Sequence, residues 1–231
     1  RYEHIAKVTG ENFNVFKIVK IAEDEVKHSA FLAELLNPKG SHGQGAKFLK
    51  LFVDQLNVSD FNCETAIVEA EKYIGPVTET TGGQIDIFID DKMSNCIIIE
   101  NKIYASDQEN QLIRYYDYGK RNFKKQYLFY LTLKGSGASL FSIENKQKNI
   151  KLEVNKDYEL KSYKNNILPW LEECQREAVS MPLLREGIAH YINLIKYLTN
   201  QSISKAMIKE IVDLLTKNTT NLANANELVK N

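Results

Sequence analysis

Two apolar segments, 84–90 and 96–103, are separated only by a short polar turn. Isoleucine-rich runs of this length, bounded by polar turn residues, predict two β-strands joined as a hairpin. If the turn is centred on Met93, Asp86 lies directly opposite Glu100, because each is seven positions from the centre. Directly opposed residues of antiparallel strands share one face, with Cβ atoms about 5 Å apart. The hairpin therefore predicts two carboxylates on one surface of a sheet.

Like charges facing each other destabilise a sheet unless a cation or a shared proton compensates them. Mg²⁺ or Mn²⁺ suits such a site, because both ions prefer oxygen ligands and retain water. Period-two alternation places Lys102 on the same face as Glu100. There it can orient or deprotonate a nucleophilic water, or stabilise a pentavalent phosphate. The alternative is that Asp86, Glu100 and Lys102 form a solvated surface ion-pair cluster of little energetic value. Spacing alone leaves both interpretations open.

The segments around the hairpin predict an α/β fold. An S-x-x-E capping box at 106–109 predicts that a crossover helix starts there and runs to 121. Because a strand follows this helix, the last two strands are predicted to be parallel and joined by a right-handed βαβ unit. The remaining predicted helices span 18–36, 46–55, 167–178, 183–198 and 204–215; the other strands span 66–74 and 126–133; and 135–164 is read as loop plus irregular strand.

Two further polar features point towards the hairpin. Glu25 interrupts the apolar face of the first long helix, where a carboxylate without a partner is costly, and a metal held by the sheet would supply that partner. Gln108, Gln111 and Tyr115 follow an i, i+3, i+7 pattern on the crossover helix. They can face the same cleft as the helix N-terminal amides, which favour phosphate. The alternative is a solvated polar face. Arg114 is a basic candidate for contact with phosphate.

Composition limits the classes of function. The chain has 231 residues, of which 43% are hydrophobic, so it can bury a good core, and a single domain with helical additions is as compatible with this length as two domains. No apolar run approaches the ~18 residues of a membrane span, and no signal peptide is recognisable, so a cytoplasmic protein is expected. Three widely spaced cysteines support neither a disulfide framework nor a zinc site. Lys plus Arg equals Asp plus Glu, 30 each, so nucleic acid would have to be attracted by a local patch.

Taken in order, these residues resemble the PD-(D/E)XK nuclease superfamily. The shared pattern consists of Glu25, Asp86, the triplet Glu100-Asn101-Lys102, and the Q-x-x-x-Y spacing of Gln111 and Tyr115. Longer strings similar to a bacterial branch of this superfamily are "EVKHSAFLAELLNPKGSHGQG", "GGQIDIFIDD", "IIIENKIYASDQENQLIRYY" and "YLFYLTLKG". The resemblance covers about 20–135 and extends weakly through "YKNNILPWLEEC". It departs from the usual pattern at Ile85, which stands where a proline is expected before the aspartate.

The resemblance implies a restriction-endonuclease-like αβββαβ core with a mixed central sheet, N-terminal helices and a C-terminal helical extension. Residues 1–135 would form the nuclease core, and 136–231 would pack on it as part of one domain. Asp86 and Glu100 would be metal ligands and Lys102 the catalytic lysine. The Asn101 carbonyl would be a third ligand, and Glu25 would bind or position the metal. Gln111 and Tyr115 match the RecB-like motif that positions substrate and the metal site. Independently of the resemblance, the helical position of Gln108 and the charge of Arg114 predict that both contact substrate.

The implied activity is Mg²⁺- or Mn²⁺-dependent hydrolysis of phosphodiester bonds in nucleic acid, with DNA the expected substrate. The alternative is a catalytically silent nuclease-fold module that binds nucleic acid or protein. A homodimer, or a partner protein that supplies part of the binding surface, stays open because the chain has no net charge. His28 is expected to be a buried, hydrogen-bonded histidine rather than a residue lining the cleft.

Overall fold

A computed structural model describes residue 10 and residues 13–200 and contains a mixed five-stranded sheet. The sheet order is β1 (Ile67–Tyr73), β2 (Gln84–Asp90), β3 (Asn95–Lys102), β4 (Lys125–Thr132) and β7 (Glu159–Ser162); a separate ribbon pairs β5 (Glu144–Asn145) with β6 (Ile150–Lys151). The β1–β2 and β2–β3 pairs are antiparallel, whereas β3–β4 and β4–β7 are parallel. The predicted mixed sheet with parallel last strands is confirmed, and the irregular strand expected within 135–164 is β7.

Helices cover both faces of the sheet. They are α1 (Val15–Ile18), α2 (Glu25–Leu36), α3 (Lys47–Gln55), α4 (Gln111–Asn122), α5 (Leu140–Ile143), α6 (Leu168–Glu177) and α7 (Pro182–Leu198), with a π-helical turn (Tyr163–Ile167) before α6. Within residue 10 and 13–200, no helix combines the length and apolarity needed to cross a bilayer. The helix predicted at 204–215 lies outside the described residues.

The β2–β3 hairpin has the predicted register. Asp90 pairs with Cys96 and Ile87 with Ile99, which centres the turn on Met93. One further step along this register brings Asp86 opposite Glu100. The register therefore supports the expectation that the two carboxylates share a face at the carboxyl end of β3.

Strand β3 is buried on both sides, which explains its unbroken apolar run. Ile97 and Ile99 belong to a core that includes Leu32 of α2 and Trp170 of α6. Ile98, on the opposite face, packs in a second core with residues of α4. A strand covered by helices on both faces reads as a continuous hydrophobic segment rather than an alternating one. The first core combines residues from both sides of position 135.

The prediction of one helix over 18–36 is wrong. Lys20 adopts a left-handed conformation with φ 57°, and the chain starts a new helix at Glu25. The Asp24 side chain caps this helix by accepting a hydrogen bond from the Lys27 amide at 3.2 Å. An aspartate at the N-cap stabilises a helix start, so the local capping signal interrupts the longer periodic pattern.

The predicted start of the crossover helix at Ser106 is also wrong, since α4 begins at Gln111. Asp107 is drawn away from the predicted helix by tertiary contacts, accepting hydrogen bonds from Tyr130 Oη at 2.8 Å and from the Ser139 amide at 2.7 Å. The helix start is capped from another element instead, because the Leu112 amide donates to Ser142 Oγ of α5 at 3.2 Å. Residues 106–110 therefore form a loop, and Gln108 lies in that loop rather than on the helix.

Candidate active site

Asp86, Glu100 and Lys102 come together at the carboxyl end of β3. The Glu100 side chain is 0% exposed and that of Lys102 only 10%, with Lys102 Nζ lying 2.7 Å from Glu100 Oε1. The fully buried Glu100 carboxylate is therefore paired with the ammonium of Lys102. Asp86 Oδ2 accepts a hydrogen bond from the Asn101 amide at 2.6 Å. Such burial does not fit a solvated surface ion-pair cluster.

The electrostatics of this group are unfavourable for two ionised carboxylates. Burial raises the pKa of Asp86 to about 6. Burial also raises the pKa of Glu100 well above its usual value, and the neighbouring charge of Asp86 adds to the effect. Burial alone would lower the pKa of Lys102, but the charges of Glu100 and Asp86 outweigh it, so that pKa is raised. One ammonium therefore compensates two carboxylates that burial disfavours as anions, and the group has room for more positive charge.

The donor atoms fit a hard divalent cation. Glu100 and Asp86 share the single ammonium of Lys102, and two buried carboxylates are costly as anions without further positive charge. Over the part of the chain that the structure describes, no group of three or more His, Cys, Asp or Glu side chains is arranged to hold a metal. Two carboxylates from adjacent strands are nevertheless a sufficient protein contribution for Mg²⁺, which keeps several waters.

Asn101 turns its side chain to the opposite face of β3 from Glu100 and Lys102. Its Nδ2 donates to Ser29 Oγ of α2 at 3.0 Å, and its Oδ1 accepts from Tyr163 Oη at 2.9 Å. His28, one residue before Ser29, is fully buried, with Nδ1 2.7 Å from Tyr191 Oη of α7. This agrees with the expected buried, hydrogen-bonded histidine. The rear of β3 is thus held by side chains from three helical segments.

Glu25 lies at the start of α2, and the loop after β3 supplies its partners. Glu25 Oε1 accepts hydrogen bonds from the amides of Ile103, Tyr104 and Ala105, at 2.6, 2.8 and 2.8 Å. Its charge still reaches the central group, since it contributes to raising the pKa of both Asp86 and Lys102. The cost of a carboxylate on this helix face is therefore met by backbone amides, and Glu25 fixes the chain immediately beyond Lys102.

Gln111 and Tyr115 of α4 support the strand that carries Asp86. The Tyr115 hydroxyl donates to the carbonyl of Gln84, two residues before Asp86. Gln111 Nε2 donates to Tyr115 Oη at 3.4 Å, and Gln111 Oε1 accepts from the Gln108 amide at 3.3 Å. Tyr115 is 1% exposed and Gln111 is buried, so both act from within the fold. The Q-x-x-x-Y pair joins the N-terminus of α4 to the start of β2.

Arg114 is also buried, and its guanidinium bonds within the protein. Its Nε donates to the Gly82 carbonyl at 3.0 Å, one terminal nitrogen donates to the Glu109 carbonyl, and the other donates to Gln108 Oε1 at 3.3 Å. The planar guanidinium thereby ties the turn before β2 to the loop before α4. In this arrangement Arg114 links the segment that precedes β2 to the loop that precedes α4, both of which lie next to the site.

Glu71 of β1 is a neighbour of the site that the sequence did not reveal. It lies between the pairs Ala70–Ile87 and Lys72–Ile85, and therefore opposite Asp86. Its backbone has φ 53°, rare for a residue with a side chain, and its buried Oε1 has no hydrogen-bond partner. Burial, followed by the charge of Asp86, raises its pKa. Backbone strain of this kind is common at functional sites. The sequence of β1 does not indicate it, because the strand reads only as alternating polar and apolar residues.

A profile of the PD-(D/E)XK nuclease superfamily matches residues 13–193, most of the chain. The chain belongs to this superfamily, as its motifs predicted, and the fold is the expected restriction-endonuclease-like α/β core with C-terminal helices packed against it. Membership supports a nuclease function and hence nucleic acid as the substrate class. Neither the curated proteins nor the solved structures yielded a match.

Proposed function

We propose that this chain is a Mg²⁺- or Mn²⁺-dependent nuclease that hydrolyses phosphodiester bonds of DNA. The observation that carries the proposal is the fully buried carboxylate of Glu100, which shares a single ammonium, that of Lys102, with the neighbouring carboxylate of Asp86. Two buried carboxylates with one cation between them are poorly suited to a structural role, because the second negative charge destabilises the fold unless more positive charge or a proton compensates it. A bound divalent cation would be coordinated by these carboxylate oxygens and would compensate their negative charge.

In the proposed mechanism, Asp86 and Glu100 hold the metal, with the Asn101 carbonyl oxygen as a third donor. The metal, when bound, supplies an activated water and polarises the phosphoryl group. Lys102 keeps its proton at neutral pH because of the two carboxylates, and its ammonium orients the attacking water and stabilises the negative charge that develops on phosphate. Glu25 holds the loop after Lys102, and Gln111 and Tyr115 hold the start of β2, so that these groups keep their positions.

The chain's charge and cysteines support two further parts of the proposal. Because the net charge is zero, binding to DNA depends on a local patch, on a second copy, or on a partner protein, and is sensitive to salt. All three cysteines are buried free thiols, which supports action in a reducing compartment such as the cytoplasm.

The test is a cleavage assay on linear, circular and single-stranded DNA with Mg²⁺, with Mn²⁺ and with EDTA. We expect cleavage only with metal, and a loss of at least about 100-fold in rate for Glu100→Gln and Lys102→Met, since removing one group that stabilises developing charge costs about that much. Lys124→Ala is the matched control, because Lys124 is exposed before the start of β4 and outside the site. Circular dichroism establishes that the variants are folded.

Cleavage by Glu100→Gln and Lys102→Met at the wild-type rate would show that these roles are wrong. Calorimetric titration with Mn²⁺ separates a nuclease from a silent nuclease-fold module. A working site binds the ion and loses that heat in Glu100→Gln, whereas a silent module binds DNA without binding Mn²⁺.

A further inference from the structure

A cleft of about 330 Å³ opens beside Lys102, where the parallel strands β3 and β4 end. Its wall includes Tyr104, Tyr130, Thr132, Lys134 and Ser136 in addition to Lys102. No Asp or Glu side chain lines it; Lys102 is paired with Glu100, so the charge that the cleft offers a ligand is that of Lys134. Ligands commonly bind at the carboxyl ends of parallel strands, and the charge of this cleft suits an anion.

Lys134 is available for that anion. It is exposed, and it makes no ion pair or side-chain hydrogen bond with any residue of the described chain. The turn that carries it is fixed, since Thr132 Oγ1 accepts hydrogen bonds from the Gly135 amide at 2.9 Å and from Ser136 Oγ at 3.2 Å. Lys134 is therefore a free cation on an ordered turn beside the lysine of the site.

Tyr104 adds an exposed aromatic ring to the same cleft. Its side chain is 61% exposed and has no stacking or hydrogen-bonding partner among residues 13–200. Its backbone is nevertheless held, because its amide donates to Glu25 Oε1 at 2.8 Å. An exposed aromatic ring on a fixed backbone next to a free lysine is the combination with which proteins bind single-stranded nucleic acid, by stacking on bases and contacting phosphates.

The size of the cleft favours one nucleotide of an unpaired strand. About 330 Å³ lies at the lower end of small-molecule pockets, which span roughly 300–1,000 Å³. A base pair presents its bases stacked and paired, with no free face for a tyrosine, whereas an unpaired base offers one. We infer that this cleft binds a single strand of DNA, with Lys134 on the phosphate next to the one to be cut and Tyr104 stacked on a base, so that single-stranded DNA or unpaired ends are the preferred substrate.

This inference rests on the proposed nuclease function, and binding without metal tests it separately. Fluorescence anisotropy in EDTA measures the affinity of the full chain for a labelled single-stranded 15-mer and for its duplex, over a series of salt concentrations. Tyr104→Ala should weaken single-strand binding about 5- to 150-fold, the range found when a stacking aromatic is removed. Tyr104→Phe should bind as tightly as the wild type, because it keeps the aromatic ring. Lys134→Gln should reduce the slope of log K against log salt by about 0.7, the value for one phosphate contact on a single strand.

Lys124→Gln is the matched control, because Lys124 and Lys134 are both exposed and flank opposite ends of β4. The eight residues of β4 separate the two ends by about 26 Å. We expect this variant to retain wild-type affinity and salt slope.

The inference is overturned if the wild type binds no single strand, if it binds duplex equally well, or if Lys134→Gln and Tyr104→Ala behave like Lys124→Gln. Loss of binding in those two variants, together with a wild type that never cleaves with metal, supports the cleft and refutes the nuclease. Metal-dependent cleavage with unchanged binding in both variants supports the nuclease and refutes the cleft.

Discussion

Replacing Asp86 by asparagine should stabilise the metal-free protein. Burial raises the pKa of Asp86 from 3.8 to about 6. Since each pKa unit corresponds to about 1.4 kcal/mol, the ionised side chain costs the folded state about 3 kcal/mol at pH 8. Asparagine removes the charge and keeps an oxygen that can accept the hydrogen bond from the Asn101 amide. The expected gain is therefore about 3 kcal/mol of unfolding free energy, or roughly 6–12 °C in Tm for a chain of this size.

The pH dependence follows from the sign of the shift. The folded-state pKa is raised, so the folded protein binds this proton more tightly than the unfolded chain does. The corresponding stability is fully present below about pH 4 and is lost as the pH rises through about 6. The advantage of Asp86→Asn over the wild type should accordingly be largest at pH 8 and close to zero at pH 4.

The assay is urea unfolding of both proteins in EDTA at pH 4 and pH 8, with Asp54→Asn as the control. Asp54 is exposed on α3, and a surface substitution of this kind changes stability by less than about 0.5 kcal/mol. Added Mn²⁺ should stabilise the wild type and leave Asp86→Asn nearly unchanged, because an ion stabilises only the form that binds it. An Asp86→Asn variant no more stable than the wild type at pH 8, or equally stabilised at both pH values, would refute the electrostatic argument.

Two side chains near the site, the partly buried Glu25 and the buried Arg114, should prove structural in unfolding experiments. Glu25→Ala should lose about 2–3 kcal/mol, and Glu25→Gln less, because the amides of 103–105 lose a charged acceptor; urea midpoints equal to the wild type's would contradict this. Arg114→Lys should lose about 1–3 kcal/mol because an ammonium cannot bridge the Gly82 and Glu109 carbonyls as a planar guanidinium does. A thermal melt of Arg114→Lys that coincides with the wild-type curve would show that these contacts contribute nothing.

The hairpin was the most predictable part of the molecule, because its information is local. The symmetric placement of apolar and polar residues about Met93 fixed the register, and the register brought Asp86 towards Glu100. Strand pairing across a short turn depends on residues close in sequence, so a sequence pattern can specify it.

The errors arose where distant contacts overrode a local signal. The S-x-x-E pattern at 106–109 predicts a helix start at Ser106, but Asp107 accepts hydrogen bonds from Tyr130 and Ser139, and the helix begins at Gln111 instead. The strained backbone of Glu71 depends on the register with which β1 pairs with β2. Lys134 lacks an ion pair within the described residues because the fold brings no carboxylate close to it. Neither property has a periodic signature, since both are set by the packing of separate elements.

The side chain of Asn101 ties β3 to Tyr163, a residue 62 positions further along the chain. A fragment that stopped after β4 would carry both facing carboxylates and the lysine, yet it would lack the hydroxyl group that anchors the strand from behind. A fragment that keeps these anchors therefore extends past the fourth strand, through the π-helical turn and onto the helix whose Tyr191 contacts His28.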